Sequence, residues 1–274
     1  MNKIIGRILI GALAVSIPVG GAIYYFASNN SDEEKKNEIV DKKDNTNDKD
    51  KDKKDNKDGK DKKDDNVDHP STDAKLENTH KEKINLLRAS YRNDEIVGVV
   101  SIPNTTINTV VAQHTDNDYY LNHNLFKKEA VDGAAYLDYR VNINSGKKNI
   151  IYGHNGDSSQ LSVPFSELEK YYDKAFFDNH QYILLEDEDG VGTYQIFSVY
   201  VETNDANYMH LNFKSESSWL EHINYLKNKS IYDTGVSVDE TDEVLILQTC
   251  SHSEEYIKYK NKYLLVVAKR VKYE

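Results

Sequence analysis

Val244-Leu245-Ile246-Leu247-Gln248-Thr249-Cys250-Ser251 is an apolar run that ends on the single cysteine of the chain. A short run of this kind, bounded by polar residues, reads as a buried strand. The thiol then stands at the rim of a sheet, where the strand gives way to a loop. A lone cysteine is most often a small buried hydrophobe. A second stretch of the same build argues otherwise: Asn149-Ile150-Ile151-Tyr152-Gly153-His154-Asn155 is an apolar strand followed by a glycine, a histidine and polar residues. One strand ends in a thiol and the other in an imidazole. If the two are neighbours, they form a nucleophile with its acid/base partner. The chain has nine histidines, and His114, His123, His180, His210, His222 and His252 sit in polar contexts that read as surface or loop. Spacing alone leaves the pairing of Cys250 with His154 open.

Composition narrows the alternatives. A formal net charge of -11 argues against a nucleic-acid binder, which needs a basic face. One cysteine excludes an internal disulfide framework, and no Cys/His cluster marks a metal site. No cofactor is implied. Twenty tyrosines with four prolines suit a β-rich domain.

The 30% charged fraction and mean hydropathy of -0.74 average over unlike parts. Residues 1–7 carry Lys3 and Arg7, and residues 8–27 carry no charge. About 20 residues make about 30 Å of helix, the thickness of a bilayer's hydrocarbon core. Tyr24, Tyr25 and Phe26 suit an interfacial belt, and Asp32, Glu33 and Glu34 follow. The expectation is a single-pass cell-membrane anchor, rather than a cleaved signal peptide, with a cytoplasmic N-terminus and everything else outside. Residues 28–72 are almost wholly Asp, Lys, Asn and Glu, too polar to offset the entropy of ordering, and read as a disordered tether.

The folded part, residues 73–274, opens with Leu76, Ile84, Leu87 and Tyr91 at near-helical spacing. Strand signals follow at residues 96–102, 110–112, 133–139, 148–152, 182–186, 193–202, 244–249 and 263–271. Asp189-Gly190 reads as a hairpin turn rather than a calcium loop. One helix is expected after Pro164, carrying Phe165, Leu168 and Tyr172, and another from Ser218, with Glu221 in a capping box and Trp219, Ile223 and Leu226 as core. The fold class is mostly β, a barrel or a sandwich.

Tyr152-Gly153-His154 and Leu247-Gln248-Thr249-Cys250 resemble the histidine and cysteine motifs of sortases. Gly133–Arg140 and Ser230–Gly235 resemble further stretches of that family, and a helix-bearing insert at Ser215–Thr234 before the cysteine strand resembles class B in particular. The resemblance runs from about Leu76 to the C-terminus. It implies a closed β-barrel of about eight strands with flanking helices, on the outer face of a Gram-positive-type cell membrane. It also implies a cysteine transpeptidase, in which Cys250 attacks the carbonyl after the threonine of a secreted protein's sorting signal and forms a thioester. His154 is the general acid/base, and the acceptor is an amine of a cell-wall precursor or pilin. The family places an arginine at the start of the last strand; this chain has Tyr263 there. Tyr263 is the preferred substitute, Lys258, Lys260 and Lys262 are alternatives, and Arg270 lies too far along the strand. Thr249 and Ser251 are candidates to lend backbone N–H groups to substrate in an oxyanion hole, and the insert is expected to wall the groove. Two rival readings are a cysteine protease using water and a sortase-like surface module impaired by loss of the arginine.

Overall fold

The computed structural model describes residues 72–156, 163–203 and 206–274, with side chains from residue 79 onward. In a separate unit, residues 1–64, only the backbone of two paired strands is described, Ser16–Val19 (β1) and Ala22–Tyr25 (β2). The rest of the expected anchor at residues 8–27, and the tether at 28–71, lie outside the described residues. Among the described residues no helix is long and apolar enough to cross a membrane.

The second unit begins with α1 (Thr72–Tyr91). Ile84 and Leu87, three residues apart on one face, pack on Ile96, Val99 and Val110. Eight strands follow: β3 (Ile96–Ser101), β4 (Asn108–Ala112), β5 (Ala135–Leu137), β6 (Lys148–Tyr152), β7 (Tyr182–Glu186), β8 (Val191–Glu202), β9 (Val244–Cys250) and β10 (Tyr263–Tyr273). They close into a barrel in the order β10-β8-β7-β3-β4-β5-β6-β9. The pairs β4–β5 and β6–β9 are parallel and the others antiparallel.

Strand alternation divides the core in two. Leu245 and Leu247 of β9, with Leu264, Val266 and Ala268 of β10, fill the interior. Val244 and Ile246, with Leu265 and Val267, face outward under α3 (Glu216–Asn228), which lays Trp219, Ile223 and Leu226 over them. Both faces are buried, so the strand reads as a continuous apolar run rather than an alternating one. Each such side chain contributes roughly 1.5–3 kcal/mol by leaving water.

Three local expectations change. The segment after Pro164 is a 3-10 helix, Ser166–Tyr172, followed by the short α2 (Lys174–Asn179). Leu168 and Tyr171, three apart, both join the barrel interior, and a repeat of three residues per turn aligns them. α3 starts earlier than expected, because Ser215 caps it in a reciprocal box with Ser218, not Ser218 with Glu221. His222 is buried rather than on the surface. Its Nε2 lies 2.9 Å from Nζ of buried Lys148, which also donates to the Tyr208 carbonyl (2.7 Å). Burial, then the Arg140 charge, pushes Lys148 down to about 7, and burial, then Lys148, pushes His222 down to about 3.

Candidate active site

The two motif-bearing strands are hydrogen-bonded neighbours. β6 and β9 run parallel with Tyr152 opposite Gln248, and Gly153 N–H continues the ladder to the Gln248 carbonyl at 3.1 Å. Two residues further on, the same register sets His154 beside Cys250. Parity puts both on the outward face, away from Ile151 and Leu247 in the barrel interior. They line one cleft of about 600 Å³, and Tyr136, Tyr152, Tyr208 and Tyr263 supply much of its apolar wall.

His154 is held by its surroundings. Its Nε2 is 2.8 Å from the Leu121 carbonyl. A carbonyl only accepts, so Nε2 carries a hydrogen and Nδ1 is the nitrogen free to exchange a proton. Gly133 makes room for this contact. Its φ is +55°, and a Cβ there would sit 2.4 Å from the Tyr120 carbonyl oxygen, 2.9 Å from that of Leu121 and 3.1 Å from His154 Cδ2. Gly153 is required too, since its Cβ would meet the buried Phe165 ring at 2.6 Å. Beneath the cleft Tyr152 donates to Asp138 Oδ2 (2.7 Å), and Arg140 grips the same carboxylate with Nε (2.8 Å) and Nη2 (2.7 Å). Burial raises the Asp138 pKa, but those donors outweigh it and hold the group below the usual carboxylate range.

Cys250 closes β9, exposed at the cleft. Partial burial of the sulfur among the tyrosines pushes the thiol up, and the Lys262 charge pulls it down. Tyr263 lies directly opposite Cys250 across the antiparallel β9–β10 pair. Ser251 N–H donates to the Lys262 carbonyl at 2.8 Å, so Cys250 and Tyr263 form the adjacent non-hydrogen-bonded pair, the one with the closer side chains. Arg270 sits near the other end of β10, donating to the Asn144 carbonyl and paired with Glu243.

Two expectations about the cleft are corrected. Ser251 N–H is committed to Lys262, and the Ser251 side chain is buried against the Tyr172 hydroxyl (2.6 Å). By the same alternation Thr249 faces β10 with its N–H, while its hydroxyl donates to the Gly153 carbonyl (2.8 Å). Both residues brace the strand end with their N–H groups turned toward β10, and Thr249 also lines the cleft. The insert at Ser215–Thr234 does not wall the cleft among the described residues. The wall comes from Glu202, Thr203 and residues 206, 208 and 209, upstream of α3. Sequence reasoning missed the Leu121 carbonyl and the Tyr208 hydroxyl, which donates to Gln248 (2.6 Å). Neither carries a chemical signal in a linear motif.

The closed eight-stranded barrel with flanking helices is the fold that the sequence resemblance implies, and in it the histidine and the cysteine line one cleft. Sortase B of Listeria monocytogenes is 34% identical over 190 residues, 68% of this chain and 75% of that protein. The chain belongs to the class B sortases. It is a cysteine transpeptidase. Solved sortase B structures share the fold. The Clostridium perfringens structure matches at TM-score 0.60 and 26% identity, over 69% of this chain and 99% of that one. A Staphylococcus aureus sortase B–substrate complex matches at TM-score 0.59 and 26% identity, over 74% and 99%. No protein-family model matches the chain.

Proposed function

We propose that this sortase cleaves the C-terminal sorting signal of secreted proteins through a Cys250 thioester and passes them to an amine of a cell-wall precursor or pilin. The observation that carries the reading is the β6–β9 register, which sets His154 beside Cys250 at the open end of the barrel. The Cys250 thiolate attacks the scissile carbonyl, and the C–N bond breaks as His154 gives its Nδ1 proton to the departing amine. In the second half an incoming amine loses its proton to His154, attacks the thioester and releases the thiolate. Tyr263, across from Cys250, offers a neutral hydroxyl donor to the developing oxyanion, and Lys262 adds charge at the sulfur.

The S. aureus relative is described in complex with a substrate, and here the cleft of about 600 Å³ is the corresponding opening for an extended peptide. The uncharged run at residues 8–27 favours a membrane anchor that leaves the enzyme outside the cell, where lipid-linked amines are presented. The test uses the full chain, a library of fluorogenic peptides with threonine before the scissile bond, and an added amine. Amide product that requires the amine, and a thioester that Cys250→Ala abolishes, support the reading. Hydrolysis product alone at saturating amine sinks the transfer step.

A further inference from the structure

We infer that Asn155 is a positioning residue that locks the nucleophile's strand end to the acid/base's strand end, a role that rests on the catalytic reading of Cys250 and His154. In a parallel pair the rungs recur every second residue. The last backbone rung between β6 and β9 is Gly153 N–H to the Gln248 carbonyl. The next would run from Asn155 to the Cys250 carbonyl. By then the chain has left the strand, and the side chain supplies the rung instead, with Nδ2 2.8 Å from the Cys250 oxygen. That carbonyl lies beyond the end of the backbone ladder, so a donor must reach it from outside the strand.

The effect is a clamp on the catalytic pair. His154 lies between two cross-strand anchors, Gly153 on one side and Asn155 on the other. Its own carbonyl accepts from Phe165 N–H at 3.1 Å, and its ring is held by the Leu121 carbonyl. Cys250 lies between Thr249, whose hydroxyl reaches back to the Gly153 carbonyl, and Ser251, tied to Lys262. Asn155 is the link that connects the nucleophile's own peptide group to the histidine segment. It sets the direction of the Cys250 Cα–Cβ bond relative to the imidazole. Its amide is engaged by the Cys250 carbonyl and it is not among the residues lining the cleft, so it acts through the pair rather than on substrate.

Two variants test this in the full chain. Asn155→Ala removes the rung; Asn155→Asp keeps the shape but replaces the donor with a carboxylate facing a carbonyl. With the threonine-containing fluorogenic peptides, both are expected to lose roughly tenfold or more in kcat for acylation with KM within about twofold, since misalignment of a bound pair costs rate rather than binding. Alkylation of Cys250 by iodoacetamide at alkaline pH, which needs no aligned acid, should match the parent in both. Wild-type kcat in Asn155→Asp overturns the inference, and so does a loss matched by equal losses in alkylation and thermal stability, which marks a merely structural role. Cys250→Ala and His154→Ala run alongside. Activity surviving in either sinks the catalytic reading itself, whereas inactivity in both with active Asn155 variants sinks only the clamp.

Discussion

The two faces of β9 are made by alternate residues of one seven-residue strand, yet they do different work. The inward set, Leu245, Leu247 and Thr249, is almost wholly buried and repeats barrel packing. The outward set begins in the same way, with Val244 and Ile246 under α3, then changes to Gln248 and Cys250 where the cover stops and the cleft opens. The proposed chemistry therefore stands on a packed strand rather than on a free loop, with only the strand's last residues open to the cleft. A rigid strand fixes the sulfur's direction, as a catalytic pair requires.

Substitutions on each face should separate the two roles. The largest effect is expected from Cys250→Ala or His154→Ala, which should abolish thioester formation, a loss of about 10⁴-fold or more, with an unchanged melting temperature. Loss of the fold in either would erase the division. On the inward face Leu247→Ala should cost roughly 2–5 kcal/mol in urea unfolding while the activity per folded molecule stays close to the parent's. A matching fall in kcat would mean that the interior tunes the cleft directly. Tyr263→Phe should lower acylation by roughly tenfold to a hundredfold, less than loss of a pre-aimed oxyanion donor at its strongest. Lys262→Ala should act differently. Its charge holds the thiol down, so its removal raises the thiol further and moves the alkaline limb of the pH–rate profile upward. If Tyr263→Phe is silent and Lys262→Ala is inactive, the lysine takes the role assigned to the tyrosine.

The last test, read in stability rather than in rate, concerns Lys148, on the outward face of β6. Its folded-state pKa of about 7 lies below that of an unfolded lysine. Between pH 7 and about 10 the unfolded chain then binds more protons, so this group makes stability rise with pH across that window and adds nothing below it. Urea midpoints at pH 7 and 9.5 should show a smaller rise in Lys148→Met than in the parent.

The strands were legible from the sequence because a strand buried on both faces is a run of apolar residues between polar ends, as at 148–152 and 244–250. α1 was legible from the spacing of Ile84 and Leu87. The 3-10 helix after Pro164 was not, since its period is chosen by the barrel end that Leu168 and Tyr171 must fill. Nor was burial of His222, which depends on a lysine 74 positions away. Ser251 and Thr249 looked like donors beside a nucleophile, and only the alternation of the β9–β10 ladder shows where their N–H groups point.

By itself the sequence determined which two strands end on a thiol and an imidazole, because side-chain reactivity and hydrophobic patterning are properties of the chain. Tertiary structure decided that those strands are parallel neighbours in a register that sets histidine beside cysteine. It decided which carbonyl holds the imidazole and which tyrosine faces the thiol. Those are relations between segments about 100 residues apart, as for the His154 and Cys250 strands joined at 2.8 Å by Asn155. Pairing and register follow from how the whole barrel closes, and no local stretch contains that information.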